Sequence, residues 1–508
     1  VGNAHRIEVG IAHPTIARKQ RAEEDELNRQ TVDLNYMALA TATIVAFYGV
    51  GLVTAGHAVM TVRSARGAVA WAISLFTFPF IAIPLYWVFG NHKFYGYADA
   101  HRYADREYQW ISQQVYQDIR EFSSAESEKF PDIAQLADGL TQLPFTSGNA
   151  ANLLIDGTQT FPAMLEAMDA AKDYILIQFY IVREDEVGNA FKQKMIAKAR
   201  SGVRVYFIYD AIGSYALSAE YLREIRSSGV WVTSFNSTKR KRNRFQINFR
   251  NHRKILIVDG KQAFIGGLNL GKEYLGKDPR LSPWRDTHLE MKGPSVQCIQ
   301  VAFLKDWYWA VREIPEVDWR IQPDPENQTA IVVPTGPGDQ LPACTLFMVS
   351  LINAARSRLW IASPYFVPNE SVLTALKLAA LRGVDVRILL PSRPDHINVY
   401  LASLSYITEV EPTGVKVYRY RPGFMHQKVF LIDRTLAGVG TTNLDNRSFH
   451  LNFEIMAFVA NSRFVTEVET MLTTDFDRAY LVEHAQLAHR KLWFRLAVRV
   501  ARLMSPIL

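Results

Sequence analysis

Cysteine is scarce in this chain, with only Cys298 and Cys344 among 508 residues. That scarcity excludes a disulfide framework and a thiolate-cluster metal site, and a reducing compartment is its simplest setting. Compositional bias toward disorder is lacking as well. Hydrophobic residues make up 48% and charged residues 21%, with 28 Gly and 22 Pro spread along the chain, so neither a disordered nor a fibrous polymer fits. A chain of this size builds a large core, or two to three domains, without covalent staples. Acidic residues fall short of basic ones, and the net charge of +7 favours polyanions such as nucleic acid or anionic lipid. Composition does not choose between the two.

Formal charge is missing altogether from residues 34–62 and 67–92. Each run exceeds the roughly 20 apolar residues that span a bilayer as a helix. Trp71, Tyr86, Trp87 and Tyr95 fall near interfacial levels. The only link is Arg63-Ser64-Ala65-Arg66, which predicts a tight transmembrane hairpin, kinked at Pro79 and Pro84. About thirty polar residues precede the first run and no small-residue cleavage site follows it, unlike a signal peptide. Arg18, Lys19, Arg21 and Arg29 before the runs, with Lys93, Arg102 and Arg106 after, outnumber the two arginines of the link. The positive-inside bias therefore predicts a cytoplasmic C-terminal portion.

Beyond this hairpin the chain alternates strand and helix signals, and does so twice. Helix 161–171, strand 174–182, helix 188–201, Gly202 and strand 203–210 are echoed by a helix ending at Arg356, strand 359–367, helix 370–382, Gly383 and strand 384–392. The closing helices 295–310 and 464–479 match too. The expected fold is therefore α/β and duplicated, two mixed-sheet lobes sharing one active site behind a helical hairpin. The expected organisation is a polar segment 1–33, hairpin 34–92, connector 93–145, first lobe 146–313, Pro-rich linker 314–329, second lobe 330–483 and basic amphipathic helix 484–508. In that last helix Leu492, Trp493, Leu496, Val500 and Leu503 form an apolar arc opposite Arg495 and Arg502, which suits a membrane interface.

Each half carries one dense motif. The first is His252-Arg253-Lys254, then Asp259, Gly266, Gly267 and Asn269; the second is His426-Gln427-Lys428, then Asp433, Gly440, Thr441 and Asn443, with equal internal spacing. In both, HxK opens an apolar strand, which gives His and Lys the same facing. Phosphoryl or phosphatidyl transfer needs cationic and amide donors around phosphate oxygens, which Lys254, Lys428, Asn269 and Asn443 supply. It also needs groups that exchange protons near neutrality, which His252 and His426 supply. A neutral imidazole can also act as nucleophile.

These motifs resemble the HKD motifs of the phospholipase D superfamily. The flanking RNHRKILIVDGKQAFIGGLNLGKEY, WRDTHLEMKGP, YFVPNE and GFMHQKVFLIDRTLAGVGTTNLDNRSFHLNFE are similar to those of bacterial cardiolipin synthases. The resemblance covers about residues 35 to 508. It implies condensation of two phosphatidylglycerols into cardiolipin and glycerol, with catalytic groups His252, Lys254, Asp259, His426, Lys428 and Asp433. His252 is then the nucleophile and His426 the acid and later base, a choice the internal symmetry itself does not make. Glu290 in HLE and Glu454 in NFE are the expected partners of the far ring nitrogens. Asp259 and Asp433 could serve instead, although the family pattern makes them structural. Gly267 and Thr441 stand where the motif usually has serine. No cofactor and no metal is implied. Arg240, Arg242, Arg244 and Arg250 form a basic run expected to meet anionic headgroups. The implied partners are a bilayer and anionic phospholipids, phosphatidylglycerol and cardiolipin, rather than nucleic acid. The implied location is the bacterial cytoplasmic (inner) membrane, multi-pass, with the catalytic portion facing the cytoplasm. A membrane-bound hydrolase releasing phosphatidic acid shares every one of these residues, and a basic membrane-anchored nuclease would explain the charge but not the hairpin.

Overall fold

Helix is the form the uncharged runs take. The computed structural model describes residues 14–62, 64–90, 94, 96–97, 99–100, 109–235, 247–482 and 490–508. The chain divides into two units, Val1–Asn91 and His92–Leu508. In the first unit a single helix, Pro14–Thr61, continues the first apolar run far upstream through polar sequence. Its 48 residues extend about 70 Å at 1.5 Å per residue. The second run is not one kinked helix but two, Ala65–Thr77 and Pro79–Phe89. Pro79 has no N–H to continue the ladder, so the chain breaks at Phe78 and restarts with proline in the first turn. Among the described residues, one helix is long and apolar enough to cross a bilayer, within Arg18–Thr61.

Small residues let these helices pack. A Cβ on Gly51 would lie 2.7 Å from the Leu75 carbonyl oxygen, so only glycine allows that approach. Ala55, Ala58, Leu75, Ala82 and Tyr86 are buried between them. The Tyr86 hydroxyl meets His57 Nδ1 at 2.7 Å and Thr61 Oγ1 at 3.1 Å, which satisfies polar groups in an apolar setting.

In the second unit the duplication becomes one 16-stranded sheet. From its centre the first lobe runs Thr146–Ile155, Thr287–Lys292, Gln262–Gly266, Ile255–Val258, Tyr174–Phe179, Arg204–Asp210 and Trp231–Phe235. The second runs Gln328–Thr335, Asn452–Ala460, Leu436–Gly440, Val429–Ile432, Arg358–Ala362, Asp385–Pro391 and Lys416–Tyr420, with Ala479–Leu481 added at its edge. Thr146–Ile155 and Gln328–Thr335 pair antiparallel and join the lobes. The three outer crossover strands of each lobe, Tyr174–Phe179 to Trp231–Phe235 and Arg358–Ala362 to Lys416–Tyr420, are parallel, because a helix lies between them in sequence, whereas the motif hairpins are antiparallel. The sheet is thus mixed.

The closing helices Pro294–Val311 and Ser462–Asp477 contribute to the central core, and each buries one aspartate, Asp306 and Asp475. The tail helix Leu492–Leu503 turns Val498 and Ala501 inward. Arg502 donates to Ser405 Oγ at 3.0 Å and pairs with Glu409. Leu492, Trp493, Leu496 and Leu503 remain exposed.

Candidate active site

Each motif histidine is stitched to the opposite lobe. Arg250–Asn251 pairs with Asn452–Phe453, and the His252 N–H donates to the Phe453 carbonyl at 2.9 Å. Phe424–Met425 pairs likewise with Trp284–Arg285, and the His426 N–H donates to the Arg285 carbonyl at 2.8 Å. The carboxylates cross over in the same way. Glu454 accepts from His252 Nδ1 at 2.9 Å, and Asp286 accepts from His426 Nδ1 at 2.9 Å. Burial pushes both carboxylic acids up, but the histidine and lysine beside each outweigh it and hold both below their ordinary values. As anions they only accept, which fixes Nδ1 as the protonated nitrogen and leaves Nε2 for chemistry.

Glu290 is therefore not the partner of a histidine. It accepts from Gln262 Nε2 at 2.7 Å and lies across from Asn152. The strand register gives the reason. Gly266 pairs with His288, and Gly440 pairs with Met456, so Asp286 is the counterpart of Glu454 while Glu290 lies four residues farther along its strand. Matching backbone bonds, Gly267 N–H to Thr287 and Thr441 N–H to Ile455, give the same offset. This also explains Gly267. Thr441 Oγ1 donates to Glu454 at 2.5 Å, whereas a Cβ on Gly267 would fall 1.9 Å from Asp286 Oδ1. The shorter aspartate takes the space the hydroxyl-bearing side chain would fill, and Trp284 Nε1 and the Thr287 N–H satisfy it instead.

Asp259 and Asp433 also stand apart from the histidines. Each follows its strand in a left-handed turn, φ 51° and 52°. Asp259 accepts the N–H groups of Lys172, Asp173 and Tyr174 at 2.8 Å. Asp433 accepts those of Arg356, Ser357 and Arg358 at 2.7 to 3.2 Å. Five residue steps, about 16 Å at roughly 3.3 Å each, separate them from the lysines. They anchor the starts of the neighbouring strands and, against the expectation that they are catalytic, hold backbone rather than a histidine.

Lys254 and Lys428 are fully buried beside the histidines. Burial pushes Lys254 well down and brings Lys428 to about 8. Lys254 Nζ donates to the His252 carbonyl at 2.6 Å; Lys428 Nζ donates likewise to the His426 carbonyl and also lies 2.9 Å and 3.0 Å from Nδ1 and Nε2 of the His426 ring. Burial brings His252 and His426 both to about 4, helped by the lysines, so both rings are neutral at pH 7. Lys428 acts on His252 and Lys254 acts on His426, which makes the two motifs one electrostatic centre. Asn269 is committed on both ends, accepting from the Ile181 N–H and donating to the Tyr274 hydroxyl, while the buried Asn443 Oδ1 has no partner among the described residues.

Two further groups escaped the sequence reading. Asp306 accepts from Arg253, Asn251, Gln178 and Tyr97, and Asp475 accepts from Arg285 and Gln427. Each fixes the backbone on which a motif histidine sits. The signal was present, since both aspartates fall at matching places in the closing helices. Arg240, Arg242 and Arg244 lie outside the described residues. Arg250 folds back on its own backbone, donating to the carbonyl of Phe249 at 2.9 Å and to that of Ile247.

The family described as "Cardiolipin synthase, PLD-like domain" matches residues 164–307 and 348–476. A protein named cardiolipin synthase A from Pseudomonas aeruginosa (strain LESB58) is 46% identical over 470 residues, 92% of this chain and 95% of that one. Its namesake from Pseudomonas putida (strain GB-1) is 45% identical over 473 residues, 90% and 96% of the two chains. Among solved structures, a phosphatidylserine synthase from Haemophilus influenzae Rd KW20 aligns with a TM-score of 0.57 over 74% of this chain and all of that one. At 14% identity this last likeness speaks to the fold alone.

Proposed function

The chain belongs to the cardiolipin synthases of the phospholipase D superfamily and is a phosphatidyltransferase, and from that premise we propose that it joins two phosphatidylglycerols through a phosphohistidine on His252. His252 Nε2 attacks the phosphorus of the first lipid. A P–N bond forms, the P–O bond to the headgroup glycerol breaks, and His426 gives that oxygen its proton. The terminal hydroxyl of the second lipid then returns a proton to His426 while its oxygen takes the phosphorus from His252. The products are cardiolipin and glycerol, and both histidines end as they began.

The observation that carries this reading is the crossed pairing of histidine and carboxylate between lobes, Glu454 with His252 and Asp286 with His426. An oriented neutral imidazole is a nucleophile. The difference between the lysines supports the assignment. Among the described residues nothing pairs with His252 Nε2, whereas Lys428 stands at His426 Nε2. Lys254 and Lys428 offset phosphate charge, and the bound anion in turn offsets the lysines that hold His426 low, so the ring can carry a proton when it is needed.

Purified protein in phosphatidylglycerol vesicles is expected to yield cardiolipin and free glycerol in equal amounts, measured by mass spectrometry. Phosphatidic acid as the main product would move the reading to a hydrolase.

The hairpin and tail give the membrane setting proposed here. Both apolar runs enter the inner membrane, the link faces outward, and the catalytic unit lies on the cytoplasmic side. The exposed arc of the tail helix rests on the same lipid surface. The two native cysteines are buried and should stay silent to a membrane-impermeant maleimide. In intact cells that reagent is expected to label a cysteine placed at Ser64 and not one placed at Ser227. The opposite pattern would invert the topology.

A further inference from the structure

Joining two anionic lipids requires a place for the phosphate that does not react. Arg419 marks a cleft with the right chemistry. It sits on the strand Lys416–Tyr420 and is 5% exposed. It donates to the Pro391 carbonyl at 2.9 Å and to Ser403 Oγ at 3.2 Å, and lies 4.8 Å from the Tyr400 ring centre. Among the described residues no carboxylate pairs with it. Arg253 and Arg285, equally buried, have Asp306 and Asp475. A guanidinium carries five N–H donors and stays cationic. Arg419 is thus a buried positive charge with donors to spare and no paired carboxylate among the described residues.

The cleft it lines encloses about 270 Å³, part of it continuous with solvent, and includes Tyr365, Asp395, His396, Tyr400 and Ser403. The cleft opens to solvent, so it offers a polar headgroup entry from its mouth and no enclosed room for acyl chains. Its other end is an alcohol-binding arrangement, with the Tyr365 hydroxyl donating to Asp395 Oδ2 at 2.5 Å. This end adjoins the catalytic centre. Ser363 Oγ donates to the Tyr365 carbonyl at 2.9 Å and accepts the Leu444 N–H at 3.0 Å, one residue past Asn443 of the second motif. Glycerol leaves beside His426 in the reaction proposed above, so an incoming alcohol must arrive there too.

We infer that this cleft is the subsite of the accepting lipid, with Arg419 and Ser403 on its unreacting phosphate and the Asp395–Tyr365 pair on its glycerol hydroxyls. A three-carbon glycerol separates those two groups in phosphatidylglycerol, which matches a cleft with an anion-binding end and a hydroxyl-binding end. The inference rests on the transfer reading of the previous section.

The test uses soluble acceptors with the full-length protein and phosphatidylglycerol vesicles as donor. Glycerol 3-phosphate and glycerol compete for the phosphatidyl group. The wild-type protein is expected to favour the phosphorylated alcohol at least tenfold, since charge-assisted bidentate contacts discriminate on that scale. Arg419→Gln should erase that preference and lower the ratio of cardiolipin to phosphatidic acid about tenfold, while Arg419→Lys keeps part of both. A folded wild-type protein that makes cardiolipin but shows no preference between the two alcohols overturns the subsite, as does an unchanged product ratio in folded Arg419→Gln. Failure of the wild type to make cardiolipin at all would instead overturn the transfer reading.

Discussion

Replacing His252 with alanine is expected to stop turnover, with a fall on the order of 10⁴-fold or more, because it removes the atom to which phosphorus bonds in the proposed reaction. The protein should stay folded. The ring is one of many groups in the seam between lobes, and the bonds of Arg253 to the Glu454 and Thr335 carbonyls and the Arg285–Asp475 pair, which cross that seam, do not involve it. Glu454→Gln is expected to cost less, about 10²-fold to 10⁴-fold, since an amide can still approach Nδ1 but no longer enforces the tautomer. The two variants should differ in pH dependence as well. Glu454 is among the charges that draw the His252 pKa upward against burial. Its neutral replacement lets that value fall further, so activity in Glu454→Gln should not recover at any pH between 5 and 8. Steady-state rates on phosphatidylglycerol vesicles, with circular dichroism as the control for folding, check both. Retention of half the wild-type rate in folded His252→Ala would remove His252 from the reaction.

The sequence made some of this arrangement readable and concealed the rest for identifiable reasons. Duplication was legible because equal spacing from histidine to lysine to asparagine recurs, and equal spacing on equal strands produces equal geometry. The mixed sheet followed from helices placed between some strands and tight turns between others. Register was harder. Glu290 and Glu454 both follow a motif, and both end a three-residue string, but strand pairing rather than proximity in sequence decides which residue meets a ring. A shift of four residues keeps a side chain on the same face of a strand while moving it about 13 Å along, at 3.3 Å per residue. Alternation therefore could not reveal the error, whereas the position of Gly266 opposite His288 does. Asp259 and Asp433 misled in a related way. They belong to the motif in sequence because the strand that carries the lysine also ends at them, yet their work is done at the far end. Arg419 was unreadable for another reason, since only burial without a counter-charge distinguishes it from other arginines.

The two histidines should be separable by the leaving group. With phosphatidylglycerol as donor, His426→Ala is expected to lose on the order of 10²-fold to 10⁴-fold, the usual contribution of positioned acid catalysis. With a phosphatidyl nitrophenol, whose departing oxygen needs no proton, the same variant should release nitrophenol in a burst approaching that of the wild type. His252→Ala should give no burst with either donor. The trapped species should withstand hydroxylamine and break in acid, as a phosphoramidate does, and peptide mapping should place it at residue 252. Protonation of the groups sets the pH range. His252, held at about 4 by burial, is neutral and nucleophilic throughout pH 5 to 8. Lys428, lowered by burial to about 8, is cationic below that value and loses its charge above it. The burst in His426→Ala should therefore decline above pH 8, as phosphate loses the charge of Lys428. A decline below pH 7 instead would mean that a histidine titrating near its ordinary value carries the phosphorus. An adduct mapped to His426 in His252→Ala would reverse the two roles and leave phosphatidyl transfer itself standing.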